Sequence, residues 1–182
     1  ATIADLVREG KVRYAGVSNF NVAQLQRIQP IHPVASLQPP YSMLVRGVEE
    51  ELLSYCAAHQ IGVIVYSPMQ AGLLTGKVTR EWVEQLPDDD WRKRNPRFRD
   101  PELSANLALV EGLRPIAERA GKTVAQLALA WVLRRPEVTA AIVGARRPAQ
   151  IEETVAASDW DLSAEEIAAI DALLAARERA LA

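Results

Sequence analysis

The chain has 182 residues, 49% of them apolar, so it can bury a core and is not a disordered segment. Its 21 Lys and Arg against 23 Asp and Glu leave a formal charge of −2 and a pI near 5.8. That balance offers no surplus of positive charge to draw nucleic acid or an anionic membrane. Cys56 is the single cysteine, which excludes an internal disulfide and a zinc site built on cysteines. No apolar run reaches the ~18 residues of a membrane span, and no signal-like segment opens the chain. The expectation is one domain of a soluble, cytoplasmic protein.

Residues 2–10 read as a helix, with Ile3, Leu6 and Val7 on one face and Gly10 as its stop. A short strand over 14–18 precedes a helix over 22–28. The next strand, 34–38, ends at Pro39 and Pro40. A helix over 49–59 turns Leu52, Leu53 and Cys56 inward, and the run 61–66, stopped by Pro68, is the most strand-like in the chain. From 77 to 101 the periodicity vanishes, and a loop of that length is more often a lid or binding loop than filler. Helices over 106–120 and 124–134 follow, the second opening on a capping box of Thr123 and Gln126. A strand over 139–143 leads through Gly144 to a helix over 148–158 that has proline in its first turn. Ser163 and Glu166 form another capping box, for a terminal helix over 163–179.

Four apolar strands without alternation, each followed by a helix, mean a parallel sheet covered by helices. Two architectures fit: an open doubly wound sheet and a (β/α)8 barrel. A barrel takes ~250 residues as a rule. Four strands behind an orphan helix read as its second half, so the chain is expected to be a partial domain.

Most motif-like stretches are bland. Gly72 to Lys77 has the glycine spacing of no P-loop, and Val78 stands where that motif needs Ser or Thr. Gly16-Val17-Ser18-Asn19-Phe20 lacks the closing glycine of a nucleophile elbow. His32 and His59 are too few for a triad, and Cys56 with His59 on one helix face makes only half a metal site. The acidic run 88–90 reads as a solvated loop, and Trp131 as core. Trp82 and Trp91 are better placed to face a ligand, while Lys77 and Arg94 read either as closing the loop over a cofactor or as ordinary solvated charge.

In parallel α/β folds, ligands sit beyond the carboxyl ends of the strands. Here those ends carry Ser18-Asn19, Gln38, Tyr66-Ser67 and 144–146. Ser, Asn and Gln supply the neutral donors and acceptors that an amide wants, and Tyr66 supplies a flat face. Gly144, just before a helix start, directs backbone N–H groups at an anion, and Arg146 and Arg147 add forked donors for phosphate. An amide reader, an aromatic shelf and a phosphate pocket together describe a nicotinamide dinucleotide.

These segments resemble the aldo-keto reductase family over nearly the whole chain. The stretch 11–20 is similar to the family's fifth-strand signature, and Gln38-Pro39-Pro40-Tyr41 to its sixth-strand Gln-x-x-Tyr. Tyr66-Ser67-Pro68-Met69 with 72–77 resembles the seventh-strand segment, and 143–146 with Gln150 and Glu153 the eighth. The resemblance implies the C-terminal half of a (β/α)8 TIM barrel, with outer helices, that binds NADP(H). It implies that Ser18, Asn19 and Gln38 hold the carboxamide while Tyr66 stacks on the nicotinamide. Ser67, Pro68, Met69, Gly72, Leu74 and Lys77 are implied to line the pyrophosphate path. Gly144, Arg146, Gln150 and Glu153 are implied to hold the adenosine and its 2′-phosphate, with Thr154 standing where the family usually has Asn.

The family reduces aldehydes and ketones with a Tyr acid assisted by Lys, Asp and His, all on the first four strands. This chain has no counterpart of that set, so no catalytic residue and no metal ligand is assigned. The expectation is the cofactor half of a reductase, inactive until joined to its first half. The alternative is a non-catalytic, cofactor-binding half-barrel that associates with itself through open sheet edges. A doubly wound domain binding another phosphorylated ligand is disfavoured by the missing glycine-rich first turn.

Overall fold

The computed structural model describes residues 2–182, whose contacts sort them into two compact units. The first runs to Pro68 and resumes over Val132–Gly144. It holds helix α1 (Thr2–Arg8), strand β1 (Gly16–Ser18), α2 (Val22–Ile28), β2 (Ser36–Gln38), α3 (Leu52–Ala58) and β3 (Gly62–Val65). Strand β4 (Val138–Ala141) completes it.

The four strands form one parallel sheet in the order β1-β2-β3-β4. Val17 lies beside Leu37 and Leu37 beside Val63, and the ladder slips between Val63 and Ile64 where it meets β4. Leu25, Leu37, Val63 and Val65 are fully buried, so burial of branched side chains fixes the sheet. Strands β1 and β4 each have one neighbour among the described residues. A capping box of Asn21 and Gln24 starts α2.

A polar knot lies in the same unit. The buried Tyr41 hydroxyl donates to Glu49 Oε1 at 2.5 Å, and Arg46 Nε donates to Glu49 Oε2 at 2.9 Å. Arg134 Nη1 donates to the Tyr41 oxygen at 3.2 Å. Burial, reinforced by the Glu49 carboxylate, pushes the Tyr41 hydroxyl well above the usual phenol range. Burial also pushes Glu49 upward, but the Tyr41 hydroxyl and the two arginines outweigh it and leave the carboxyl below its ordinary value.

The second unit, Met69–Trp131 with 145–182, is helical. Its helices are α4 (Arg80–Glu84), α5 (Glu102–Arg119), α6 (Val124–Leu133), α7 (Pro148–Val155) and α8 (Ala164–Leu181). Helix α6 is apolar on nearly all sides, as a helix buried all round must be, and Trp131 is fully enclosed as expected. Helices α5 and α8 pack at close range through Gly112, where a Cβ would come within 2.5 Å of Leu173. Buried Asn106 donates to the Arg97 carbonyl at 3.0 Å and accepts from Arg177 Nε at 2.7 Å.

The elements keep the order of the sequence reading, but bounds move. The first three strands are trimmed, and the fourth shifts to Val138–Ala141. The helix expected over 49–59 splits into a 3-10 turn at Gly47–Glu49 and α3, and the helix expected from 106 starts at Glu102. The stretch 77–101 is a correction. It contains α4, capped by Thr79, and single 3-10 turns at Trp91–Arg94 and Pro96–Phe98, capped by Asp90 and Asn95. Turns this short carry no hydrophobic period; their caps were the only signal.

Candidate functional site

In the first unit the parallel register sets Ser18 beside Gln38, and a bridge between Pro40 and Tyr66 extends the pairing to β3. Ser18 Oγ donates to the Gln38 carbonyl at 2.9 Å, and the Asn19 N–H donates to the same oxygen at 3.1 Å. The Tyr66 hydroxyl donates to Asn19 Oδ1 at 3.1 Å. Four of the expected residues thereby form one chain of bonds, Tyr66 to Asn19 and both Asn19 and Ser18 to Gln38. The Asn19 acceptor is occupied, so its Nδ2 remains a donor without a partner among the described residues. The exposed Gln38 amide also makes no side-chain hydrogen bond among them.

The backbone is strained at the same place. Asn19 has φ 59° and Ser67 φ 55°. Asn tolerates this left-handed conformation, whereas for Ser it costs ~1–2 kcal/mol. Such strain persists where the surroundings impose it, and it gathers at binding sites. Pro68 is buried, and exposed Gly144 follows β4 with open space around its Cα.

In the second unit the loop after Met69 is a kinked 3-10 segment, Gln70–Thr75. Gly72 sits at φ 102°, a value L side chains rarely adopt, so glycine is required there. Thr75 Oγ1 donates to the Gly72 carbonyl at 2.6 Å and accepts the Lys77 N–H at 3.3 Å. Leu74 is fully buried, so its side chain belongs to the core and only its backbone can face a ligand. Exposed Lys77 reaches Glu153 Oε2 at 3.4 Å.

Helix α7 carries the remaining candidates. Gln150 Oε1 accepts the N–H groups of Arg146 at 2.7 Å and Arg147 at 3.1 Å. This corrects the expectation that those N–H groups face an anion: the helix caps itself, and phosphate recognition falls to the side chains. Both arginines are exposed and form no ion pair among the described residues. Thr154 Oγ1 donates into its own helix, to the Gln150 carbonyl at 2.8 Å, so its proton is not available to a base. Glu153 Oε1 is buried and has no hydrogen-bond partner among the described residues. A buried acceptor without a donor is costly, and an exocyclic amine such as that of adenine would satisfy it. The donor set therefore fits the adenosine end of the expected cofactor.

Other candidates have partners of their own. Trp82 lies under the Arg92 guanidinium, 4.8 Å from the ring centre, while Trp91 stays exposed with its ring edge near Phe98. Asp90 pairs with Arg92 and Asp88 with Lys93, so the acidic run staples its own loop. The side-chain bonds of Arg92, helped by its backbone N–H, lower Asp90 to about 2. Cys56 is buried while His59 is exposed and stacked on Tyr55, so the two do not converge. Thr75 was missed; a Thr bridging two turn positions in a glycine-flanked loop was the available signal.

Comparison with known proteins adds independent findings. A model described as "Aldo/keto reductase family" matches residues 1–175. The aldo-keto reductase YhdN of Bacillus subtilis (strain 168) is 36% identical over 171 residues, covering 93% of this chain and 51% of that protein. The glycerol dehydrogenase AKR11B4 from Gluconobacter oxydans superposes with a TM-score of 0.90 at 35% identity, over 96% of this chain and 53% of that one. A thermostable aldo-keto reductase, Tm1743, solved with the inhibitor epalrestat, gives 0.67 at 29% identity, over 94% and 52%. The chain spans about half the length of the curated relatives it matches.

Proposed function

Because the chain belongs to the aldo/keto reductase family, an oxidoreductase family, we propose that it is the NADP(H)-binding, C-terminal half of a carbonyl reductase barrel. The observation that carries this reading is the bond from the Tyr66 hydroxyl to Asn19 Oδ1. It occupies the Asn19 oxygen and leaves the Nδ2 donor for the acceptor of a flat carboxamide. In this reading Ser18, Asn19 and Gln38 bind the carboxamide and Tyr66 and Ser67 bracket the ring. Pro68, Met69, Gly72 and Lys77 follow the pyrophosphate. Arg146 takes the 2′-phosphate beside Gly144, and Glu153 takes the adenosine, while Gln150 and Thr154, bonded within their own helix, shape the turn that carries them.

When bound, NADPH supplies a hydride to the carbonyl carbon of a small aldehyde or ketone, and a proton must then reach the oxygen. The tyrosines here do not offer that proton. Burial and the Glu49 carboxylate hold the Tyr41 proton tightly, and Tyr66 donates its own to Asn19. Tyr14 is 75% exposed and Tyr55 stacks on His59. The acid is therefore assigned to the other barrel half, and this chain by itself binds cofactor without turnover. The single-neighbour edges of β1 and β4 are where that half would pair, or where a second copy would close the sheet.

The test is a fluorescence titration of the chain with NADPH and NADH. NADPH is expected to bind at least ~tenfold more tightly, a difference of about one charge-assisted phosphate contact. Arg146→Ala should erase the difference. Equal affinities in the unaltered chain would overturn the 2′-phosphate assignment. Sedimentation separates the two closures of the sheet: a tight dimer favours self-association.

A further inference from the structure

Helix α6 does more than fill the core of its unit. Its first turn grips the last turn of α7. The Gln126 side chain is 8% exposed and satisfied at both ends. Its Oε1 accepts the Thr123 N–H at 2.9 Å, closing the capping box, while its Nε2 donates to the Glu153 carbonyl at 2.8 Å. Lys122 Nζ adds a bond to the Ala156 carbonyl at 3.4 Å. Both carbonyls belong to the set that a helix leaves unpaired at its C-terminus. Helix α7 spans only eight residues and has no buried side chain, so apolar packing does little to hold it. Its C-terminal turn is held from outside by Gln126 of α6 and by Lys122, which lies just before that helix.

One of the two carbonyls thus held belongs to Glu153, the residue whose Oε1 is buried without a donor. Lys77 touches only the other oxygen, at a distance beyond a normal hydrogen bond. The carboxylate is thus aimed by its backbone, and its backbone is fixed by Gln126. We infer that Gln126 is a positioning residue for adenine recognition: it fixes the Glu153 backbone so that the unpaired carboxylate oxygen meets the 6-amino donor of an adenine base. Lys122 supports the same turn more weakly. The inference rests on the cofactor reading above and adds to it the residue that orients the base-reading carboxylate.

The experiment uses calorimetry on the chain with two probes, adenosine 2′,5′-bisphosphate and its purine-riboside counterpart, which lacks the 6-amino group. The readout is the ratio of the two affinities, which a general loss of stability does not alter. Glu153→Gln serves as the reference and should lower the ratio about tenfold, the scale of a hydrogen bond to a charged acceptor. Gln126→Met keeps volume but removes the donor, and should lower the ratio about fivefold while adding little on top of Glu153→Gln. Should Gln126→Met fail to fold, Lys122→Met on the half-buried rim should still lower it about twofold. An unchanged ratio in Gln126→Met, or in Lys122→Met where only that variant folds, overturns the inference while Glu153→Gln still shows its effect. An unchanged ratio in Glu153→Gln overturns the cofactor assignment itself, and the inference with it.

Discussion

The strand-end cluster of the first unit and the loop-and-helix cluster of the second hold their polar groups by different means. Ser18, Asn19 and Gln38 take their places from sheet register, with backbone pairs between β1 and β2 setting the spacing before any side chain acts. In the second unit, Gly72, Lys77 and Glu153 are placed by side chains that reach backbone: Thr75 to Gly72, Gln126 to Glu153. A sheet distributes its placement over many bonds and a buried core, whereas a side-chain clamp concentrates it in one or two atoms. Polar deletions should therefore be mild in the first cluster and severe for function in the second. The first cluster should fail only when its core fails.

The largest effect tests that last statement. Leu37 is fully buried on a central strand between Val17 and Val63. Leu37→Ala should cost ~3 kcal/mol in urea unfolding, the usual sum of lost transfer energy and a cavity. Nicotinamide-end binding should fall with it. A loss below ~1 kcal/mol would mean that the sheet is not what holds Asn19 and Gln38.

An intermediate effect comes from the Tyr41–Glu49 knot. Glu49 titrates below its ordinary 4.5 in the folded chain, so its contribution is present above that value and is lost as the pH falls through the lowered value. Tyr41 is raised above 10, so its contribution is present below 10 and is lost as the pH climbs above it. Stability should therefore be flat between these limits and fall on both sides. Glu49→Gln should flatten the acid limb and cost ~1–2 kcal/mol at neutral pH, because Arg134 loses its anion. Tyr41→Phe should flatten the alkaline limb instead. Unfolding curves at acid, neutral and alkaline pH decide it, and a wild-type acid limb retained in Glu49→Gln would count against the knot.

The two means of placement also explain what was legible in the sequence. Apolar runs bounded by prolines announced β2 and β3, and capping boxes at Thr123 and Ser163 marked two helix starts to the residue. Strand-end logic then pointed to Asn19, Gln38 and Tyr66, because in a parallel sheet position follows from chain order. Side-chain-to-backbone clamps have no such signal. Gln126 reads as a cap whether or not its other end reaches Glu153, and Gln150 reads as a ligand until it is seen to cap Arg146 and Arg147. The turns within 77–101 were hidden for the same reason, being held by Thr79, Asp90 and Asn95 rather than by an apolar face.

The smallest effect is the sharpest comparison. Tyr66→Phe removes one hydrogen bond from a part-exposed hydroxyl, yet the Asn19 backbone stays tied to the Gln38 carbonyl. Stability should change by less than ~0.5 kcal/mol, and NADPH affinity should fall only about threefold as the Asn19 amide loses its orientation. Thr75→Val is the matching deletion in the second unit, and it breaks both bonds that shape the glycine turn. Its affinity loss should exceed that of Tyr66→Phe by about threefold or more, because no strand holds Lys77 in reserve. Equal losses in the two variants, measured by the same titration, would show that both clusters rest on side-chain bonds and that sheet register confers no protection.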